Sequence, residues 1–192
     1  MARDEPPSSG KWKNYLTRWR WYPVPAVYLS MIMAFYFGAT TIMSSSDASA
    51  LTQLGEEFIK EMMARGAIGI FINNYIYSLV MIAPFIGMPF GMYTIYNTGL
   101  LAAAQIQTSM NIMDPSARTM VIILTVISPI GIMEFISYAL SMTQGLLLIY
   151  AIPKRHVKDE VMNAAITAAI VLVILISAAF LEFEMVKGFY NP

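Results

Sequence analysis

Val121-Ile-Ile-Leu-Thr-Val-Ile-Ser-Pro-Ile-Gly-Ile-Met-Glu134-Phe-Ile-Ser-Tyr-Ala-Leu140 reads as lipid-soluble helix with a single carboxylic acid inside it. Placing an ionisable side chain at the centre of a membrane segment costs about 2.5–3.5 kcal/mol on insertion scales, so such groups face a protein interior or a wet cavity. Outward from this stretch the chain stays apolar. It is 57% hydrophobic and 12% charged, with a mean hydropathy of +0.59. A soluble domain carries roughly 25% charged residues. Crossing a bilayer as a helix takes about 20 apolar residues, and windows of that kind fill most of the 192 residues. The fold class expected is all-α, a polytopic transmembrane helical bundle.

Composition also excludes function classes. Twelve Lys plus Arg balance twelve Asp plus Glu, so net charge favours neither nucleic acid nor an acidic substrate. The absence of cysteine removes disulfides, thiolate metal sites and cysteine nucleophiles. The one histidine, His156, sits in a charged loop and cannot form a ligand cluster. There is no Gly-x-x-x-x-Gly-Lys loop, no His-Glu-x-x-His and no serine-histidine-acid set in one compartment. No enzyme activity, cofactor or metal is therefore expected. The 16 methionines are scattered through the apolar segments as filler, without the dense exposed clusters that bind Cu(I).

Residues 1–22 form a basic-aromatic segment in which Lys11, Lys13, Arg18 and Arg20 alternate with Trp12, Trp19, Trp21 and Tyr22. This pattern predicts an anchor at the membrane-water boundary, with the cations reaching head groups. Residues 23–192 are read as one transmembrane domain. The expected spans cover about 23–43, 68–87, 89–110, one crossing within 119–152, and 161–180, about five in all. Ser44-Ser-Ser-Asp47 ends the first. The run 48–65 carries Leu51, Leu54, Phe58 and Met62 at helical spacing against Glu56, Glu57, Lys60 and Glu61, predicting an interfacial amphipathic helix stopped at Gly66. Gly87-Met-Pro89-Phe-Gly91 is read as a tight connection and 114–118 as the next turn. The 119–152 stretch is too long for one straight span and short for two. Ser128-Pro129-Ile-Gly131 predicts a break there, leaving a half-helix or re-entrant piece before one crossing. Lys/Arg bias then puts the N-terminus and the Lys154–Lys158 loop in the cytoplasm, and 44–66, 111–118 and the C-terminus outside a cell membrane crossed several times.

Within this frame, Glu134 is expected to meet Asn73, Asn74, Asn97 or Gln144 from neighbouring helices. The first reading is a polar clasp that locks packing, each bond worth about 1 kcal/mol or less. The second is a proton- or ion-sensitive point in a conduction path. Asn73 and Asn74, near the outer start of the second span, are read as caps of backbone groups, and Asn97, Gln105 and Gln107 similarly. Gly87, Gly91 and Gly99 recur at intervals of four and eight residues, a smooth strip suited to close helix approach. The tyrosines are read as interfacial belts, and Glu56/Glu57 and Glu182/Glu184 as solvated charge.

Three blocks carry a resemblance. Phe71-Ile-Asn73-Asn74-Tyr-Ile-Tyr-Ser-Leu followed by Pro84, Gly87, Gly91, Asn97 and Gly99 is the first; Ser128-Pro129-Ile130-Gly131-Ile-Met-Glu134 with Gly145 is the second; Ala178-Ala179-Phe180-Leu181-Glu182 is the third. In order and spacing they resemble the stage II sporulation protein M family over roughly 68–185. The resemblance implies a multi-span integral membrane protein; sporulating members help assemble peptidoglycan-degrading complexes. The sequence departs from the pattern at Ile130 (usually histidine), Ile136 (often proline) and Leu147 (commonly arginine). A histidine-glutamate relay and a glutamate-arginine pair within this helix are thereby not expected.

The function expected is a non-enzymatic subunit that scaffolds a larger membrane protein complex. Its partners are the lipid bilayer and other membrane proteins in a hetero-complex, a homo-oligomer being the other arrangement; nucleic acid is not among them. The rival is a transporter or channel component with a midplane polar site around Glu134 and the Pro129–Gly131 break. Single cysteines at positions 114 and 156 test the topology: membrane-impermeant thiol reagents should label them from opposite sides, and labelling from one side removes the single crossing within 119–152.

Overall fold

Local signals in the chain start and stop each helix of the computed structural model, which describes residues 20–108, 115–153 and 157–190. Among the described residues there are seven α-helices and no strand: α1 (Pro23–Ala39), α2 (Ser45–Ala64), α3 (Gly66–Met81), α4 (Gly87–Thr108), α5 (Pro115–Ile127), α6 (Pro129–Ala151) and α7 (Val157–Tyr190). The expectations for Lys11, Trp12, Lys13, Arg18, Trp19, Asp114, Lys154, Arg155 and His156 lie outside the described residues.

Proline at the first helical positions opens α1 and α6, where the missing N–H has no helical acceptor to lose. Ser44 caps α2 by accepting from the Asp47 N–H at 3.2 Å. Ser128 caps α6 by accepting from the Gly131 N–H at 3.0 Å, so the break expected at Ser128-Pro129 is the boundary between α5 and α6. Gly66 takes φ +68° and lets α3 leave α2 after one intervening residue.

The core lies around α6, which packs against α1, α3, α4, α5 and α7. Phe135 of α6 meets the rings of Tyr28 and Phe35 of α1 edge to face, with centroids 6.1 and 5.9 Å apart. Met31, Met81 and Met142 are fully buried fillers. Gly91, Ile95, Gly99 and Ala103 mark the buried face of α4 at every fourth residue. A Cβ on Gly99 would run into the backbone of Phe35, Gly38 and Ala39 of α1, so this is where two backbones approach most intimately. Gly91 faces the flexible Met142 side chain, and Gly87 faces the carbonyl of Met81.

Several boundaries differ from expectation. The α3–α4 connection is 82–86, with Phe85 at φ 65°, and Gly87-Met-Pro89-Phe-Gly91 is the first part of α4. Proline at a helix start reads, in sequence, like proline in a turn. α7 begins in the charged stretch before residue 161 and runs past 180. On α2 the buried residues are Ala48, Thr52 and Gly55, while Leu54 and Phe58 are 63% and 44% exposed. Small residues seat α2 against α4, and the larger apolar ones rim a groove. Two helices are long and apolar enough to cross a membrane, Pro129–Ala151 and Val157–Lys187. α1 and α3 are apolar but have 17 and 16 residues, short of the roughly 20 that a straight crossing takes. α4 has 22 residues but is diluted by Asn97, Gln105, Gln107 and threonines. Length and hydropathy thus qualify two of the five expected spans.

The outward faces are apolar nonetheless. Leu29, Met33 and Phe37 of α1 and Ile68, Ile72 and Ile76 of α3 are exposed at successive turns, and Val173 and Phe180 of α7 two turns apart, a pattern compatible with a lipid-facing surface. Because Gly99 abuts backbone and Gly91 a mobile thioether, Gly99→Ala should destabilise by about 1–3 kcal/mol and Gly91→Ala by less; thermal unfolding in detergent should rank them in that order.

Candidate functional site

Two polar clusters lie inside this apolar shell, both built on α6. At one end, Arg20, three residues before α1, reaches Glu160 in the first turn of α7. The guanidinium grips both carboxylate oxygens, with the Nη2 bond to Oε2 at 2.9 Å, the two-pronged geometry that arginine favours. Nη2 also donates to Gln144 Oε1 at 3.1 Å, and Gln144 Nε2 donates to Glu160 Oε2 at 3.2 Å. Thr167 Oγ1 donates to the same Gln144 oxygen at 3.2 Å. Arg20 is 4% exposed and Glu160 9%. A cavity of ≈ 20 Å³ lies beside the clasp, lined by Arg20, Thr143, Gln144, Leu147 and Thr167 among others, enough for about one water.

Glu160 precedes the apolar run of α7 that begins at Val161, and its titration follows from its contacts. Burial works to raise its pKa; hydrogen bonds from Arg20 and Gln144 and the Arg20 charge outweigh it and hold the carboxyl below the ordinary 4.5. A depressed carboxyl stabilises the fold above its unfolded value and loses that contribution as pH falls through the folded value.

The second cluster surrounds Glu134. Asn74 of α3 donates from Nδ2 to Glu134 Oε1 at 2.6 Å, and Asn74 Oδ1 accepts from Asn73 at 3.2 Å. Glu182 of α7 lies within electrostatic reach of Glu134. Tyr138, buried one turn beyond Glu134, lies within reach of both carboxyls and of Tyr77. α3 and α6 thus meet through the Asn74–Glu134 bond, and Glu182 of α7 acts on the pair electrostatically.

Of the four partners expected for Glu134, only Asn74 bonds to it. Asn73 and Asn74 sit inside α3 rather than capping its start; the helix begins at Gly66, a turn and more earlier, so its first N–H groups are elsewhere. Asn97 donates to the Tyr93 carbonyl of its own helix at 2.7 Å. Gln144 belongs to the Arg20 clasp, and Gln107 ties α4 to the Met43 carbonyl at 3.0 Å. Gly145 lies against the Met81 and Ile82 carbonyls at the end of α3, where a Cβ would stand 2.9 and 3.2 Å from them. Glu182 is half-buried rather than solvated, while Glu184 is exposed. Tyr138 is buried in the core rather than placed in an interfacial belt.

Sequence reasoning set Arg20 in the head-group layer and Glu160 in a loop; both are interior. Glu160, Asn163, Thr167, Val171 and Leu175 are buried at three- and four-residue spacing. Carrying the apolar stripe of α7 back through its polar start was the available signal. Nothing in the sequence linked Arg20 to Glu160, which stand 140 residues apart. Leu147 stands where the resembled family commonly has arginine, and it shares the small cavity with the guanidinium of Arg20.

Comparison with known proteins gives one result. The model of the family described as Stage II sporulation protein M matches residues 25–183, most of the chain. No curated protein and no solved structure matches.

Removing one partner of a buried ion pair costs about 3–5 kcal/mol because the other charge stays buried. Arg20→Met and Glu160→Gln should therefore each lower thermal stability more than their double variant does relative to either single change. The gap between wild type and Glu160→Gln should close as pH drops below the ordinary glutamate range, which a detergent melt against pH measures.

Proposed function

The chain belongs to the stage II sporulation protein M family, and from the way its interior polar groups are spent on one another we propose that it is a non-enzymatic integral membrane subunit that organises a larger membrane protein complex. The observation that carries this reading is the inversion of polarity. Arg20, Gln144, Glu160 and Thr167 bond among themselves, Asn74 bonds Glu134, and the outward helix faces are apolar. Beside the Arg20 clasp there is room for about one water rather than a solute.

In this reading α1, α3, α4, α6 and α7 cross the cell membrane, α5 is the half-helix before the Ser128 cap, and α2 lies at the interface. The N-terminus is cytoplasmic and the C-terminus outside. The short helices α1 and α3 tilt little and thin the bilayer locally, at a cost of fractions of a kcal/mol per Å. A groove of ≈ 420 Å³ between α2 and α4, walled by Leu54, Phe58, Tyr93 and Leu101, is where a partner helix has purchase.

A transport reading keeps one observation in its favour: Glu134, held by Asn74, lies in apolar surroundings in the second turn after the α5–α6 break. Isolation from native membranes in mild detergent separates the two. A stoichiometric membrane partner, retained by Glu134→Gln, is the expected outcome. An isolated homo-oligomer that moves ions or solute across reconstituted liposomes, and stops on Glu134→Gln without losing assembly, replaces it with transport.

A further inference from the structure

We infer that the pocket between α2 and α3 binds one phospholipid whose head group carries a phosphate and a primary ammonium, with a hydrocarbon chain lying along α3. The pocket holds ≈ 230 Å³ and is walled by Phe58, Glu61, Arg65, Ile68, Ile72 and Ile76 among others. It adjoins the larger groove of α2 and α4 at Phe58, which lines both. Its polarity is graded along its length. At one end Glu61 and Arg65 are paired with each other, and their side chains are 65% and 67% exposed. From there Ile68, Ile72 and Ile76 follow at every fourth residue of α3, all three exposed. Gly69 shapes the charged end. A Cβ there would stand 2.5 Å from Arg65 Cβ, so its bare backbone is what gives the arginine stem room to lie across α3. The gradient has the depth of one leaflet. Asn74 meets Glu134, and the Met81 carbonyl lies against Gly145, so α3 runs in the same direction as α6. Gln144, next to Gly145, belongs to the Arg20 clasp. The Gly66 end of α3, and with it Glu61 and Arg65, is therefore at the opposite end of the bundle from that clasp. From Ile68 to Ile76 the helix rises about 12 Å at 1.5 Å per residue, and half of a bilayer's hydrocarbon core is about 15 Å. An apolar groove of that length leading inward from a charged end fits one lipid better than a partner helix, which would run on through the second leaflet. The inference rests on the membrane placement of α3 and not on any partner protein.

Charge selects the head group. A guanidinium and a carboxylate side by side offer one contact to a phosphate and one to an ammonium. Arginine matches phosphate with a planar fork of N–H donors, and a primary ammonium donates to a carboxylate hydrogen bonds that a quaternary one cannot. The stretch from Asp47 to Arg65 carries Asp47, Glu56, Glu57 and Glu61 against Lys60 and Arg65. That acidic excess disfavours a head group of net negative charge. The Glu61–Arg65 pair is exposed, and an exposed pair contributes little to stability, so it opens readily to admit the two opposite charges of such a head group.

The test uses the full-length protein purified in mild detergent, with native mass spectrometry after addition of phosphatidylethanolamine, phosphatidylglycerol or phosphatidylcholine of matched chains. Wild type should retain one phosphatidylethanolamine several-fold more than either of the others. Glu61→Gln and Arg65→Gln should each cut that retention several-fold. Both change an exposed pair and leave the core intact, so they report on the head group rather than on folding. Ile72→Trp, which fills the groove under an unchanged ion pair, should abolish retention. Equal retention of the three lipids, preference for phosphatidylglycerol, or retention that survives all three variants overturns the inference. A photoreactive amino acid at position 72, activated in native membranes, gives a second readout. Cross-links to lipid are expected; cross-links to another protein or to a second copy of this chain in place of lipid overturn it. The lipid titration does not depend on whether a partner protein co-purifies.

Discussion

The charged and amide side chains inside this protein find their partners among themselves, because the apolar helix faces around them offer none. The outer faces of α1, α3 and α7 are leucine, isoleucine, valine, methionine and phenylalanine, and burying an unpaired amide or charge in such surroundings is costly. That constraint explains why the interior polar groups occur in sets rather than singly. It also explains why the sets converge on α6, the helix with neighbours on the most sides. A helix exposed on one face has little use for a buried carboxylate; a central helix can surround one.

The two clusters differ in how completely they close. At the Arg20 end, a guanidinium, a carboxylate, an amide and a hydroxyl account for one another, and the arginine is held in two-pronged fashion. The result fixes the stretch before α1 to the first turn of α7 and so clamps both against α6. At the Glu134 end the balance is incomplete. Glu134 has one amide partner, and further along α3 and α6 the buried hydroxyls of Ser78, Ser137, Ser141 and Thr143 have no hydrogen-bond partner.

Packing follows the same logic from the apolar side. With no difference in hydrophobicity between lipid and helix surface, association relies on close approach. Gly38 and Gly99 bring the backbones of α1 and α4 together, and Gly145 lets the end of α3 settle on α6. The second of these contacts sets the register that places Asn74 beside Glu134, so a glycine eleven residues from the acid helps position its amide partner. The family relationship over residues 25–183 takes in all of these contacts except Arg20, which lies just before the matched region.

The all-helical class, the break at Ser128-Pro129-Ile-Gly131 and the family were legible in the residues alone, as was Glu134 as an acid inside an apolar helix, which the fold leaves partly buried. Hydropathy, helical period and proline chemistry act over a few residues and leave their mark locally. The packing of Gly99 against α1 also follows a local four-residue period. Which amide meets Glu134, and that Arg20 turns inward to hold Glu160, were decided only by tertiary structure. Each of these depends on the register between helices distant in sequence, 60 residues apart for Asn74 and Glu134 and 140 for Arg20 and Glu160. The number of crossings is likewise not set by composition. It turns on where each helix ends, and helices ending at Ala39 and Met81 are fixed by the backbone turns and neighbours that stop them rather than by how far the apolar residues run.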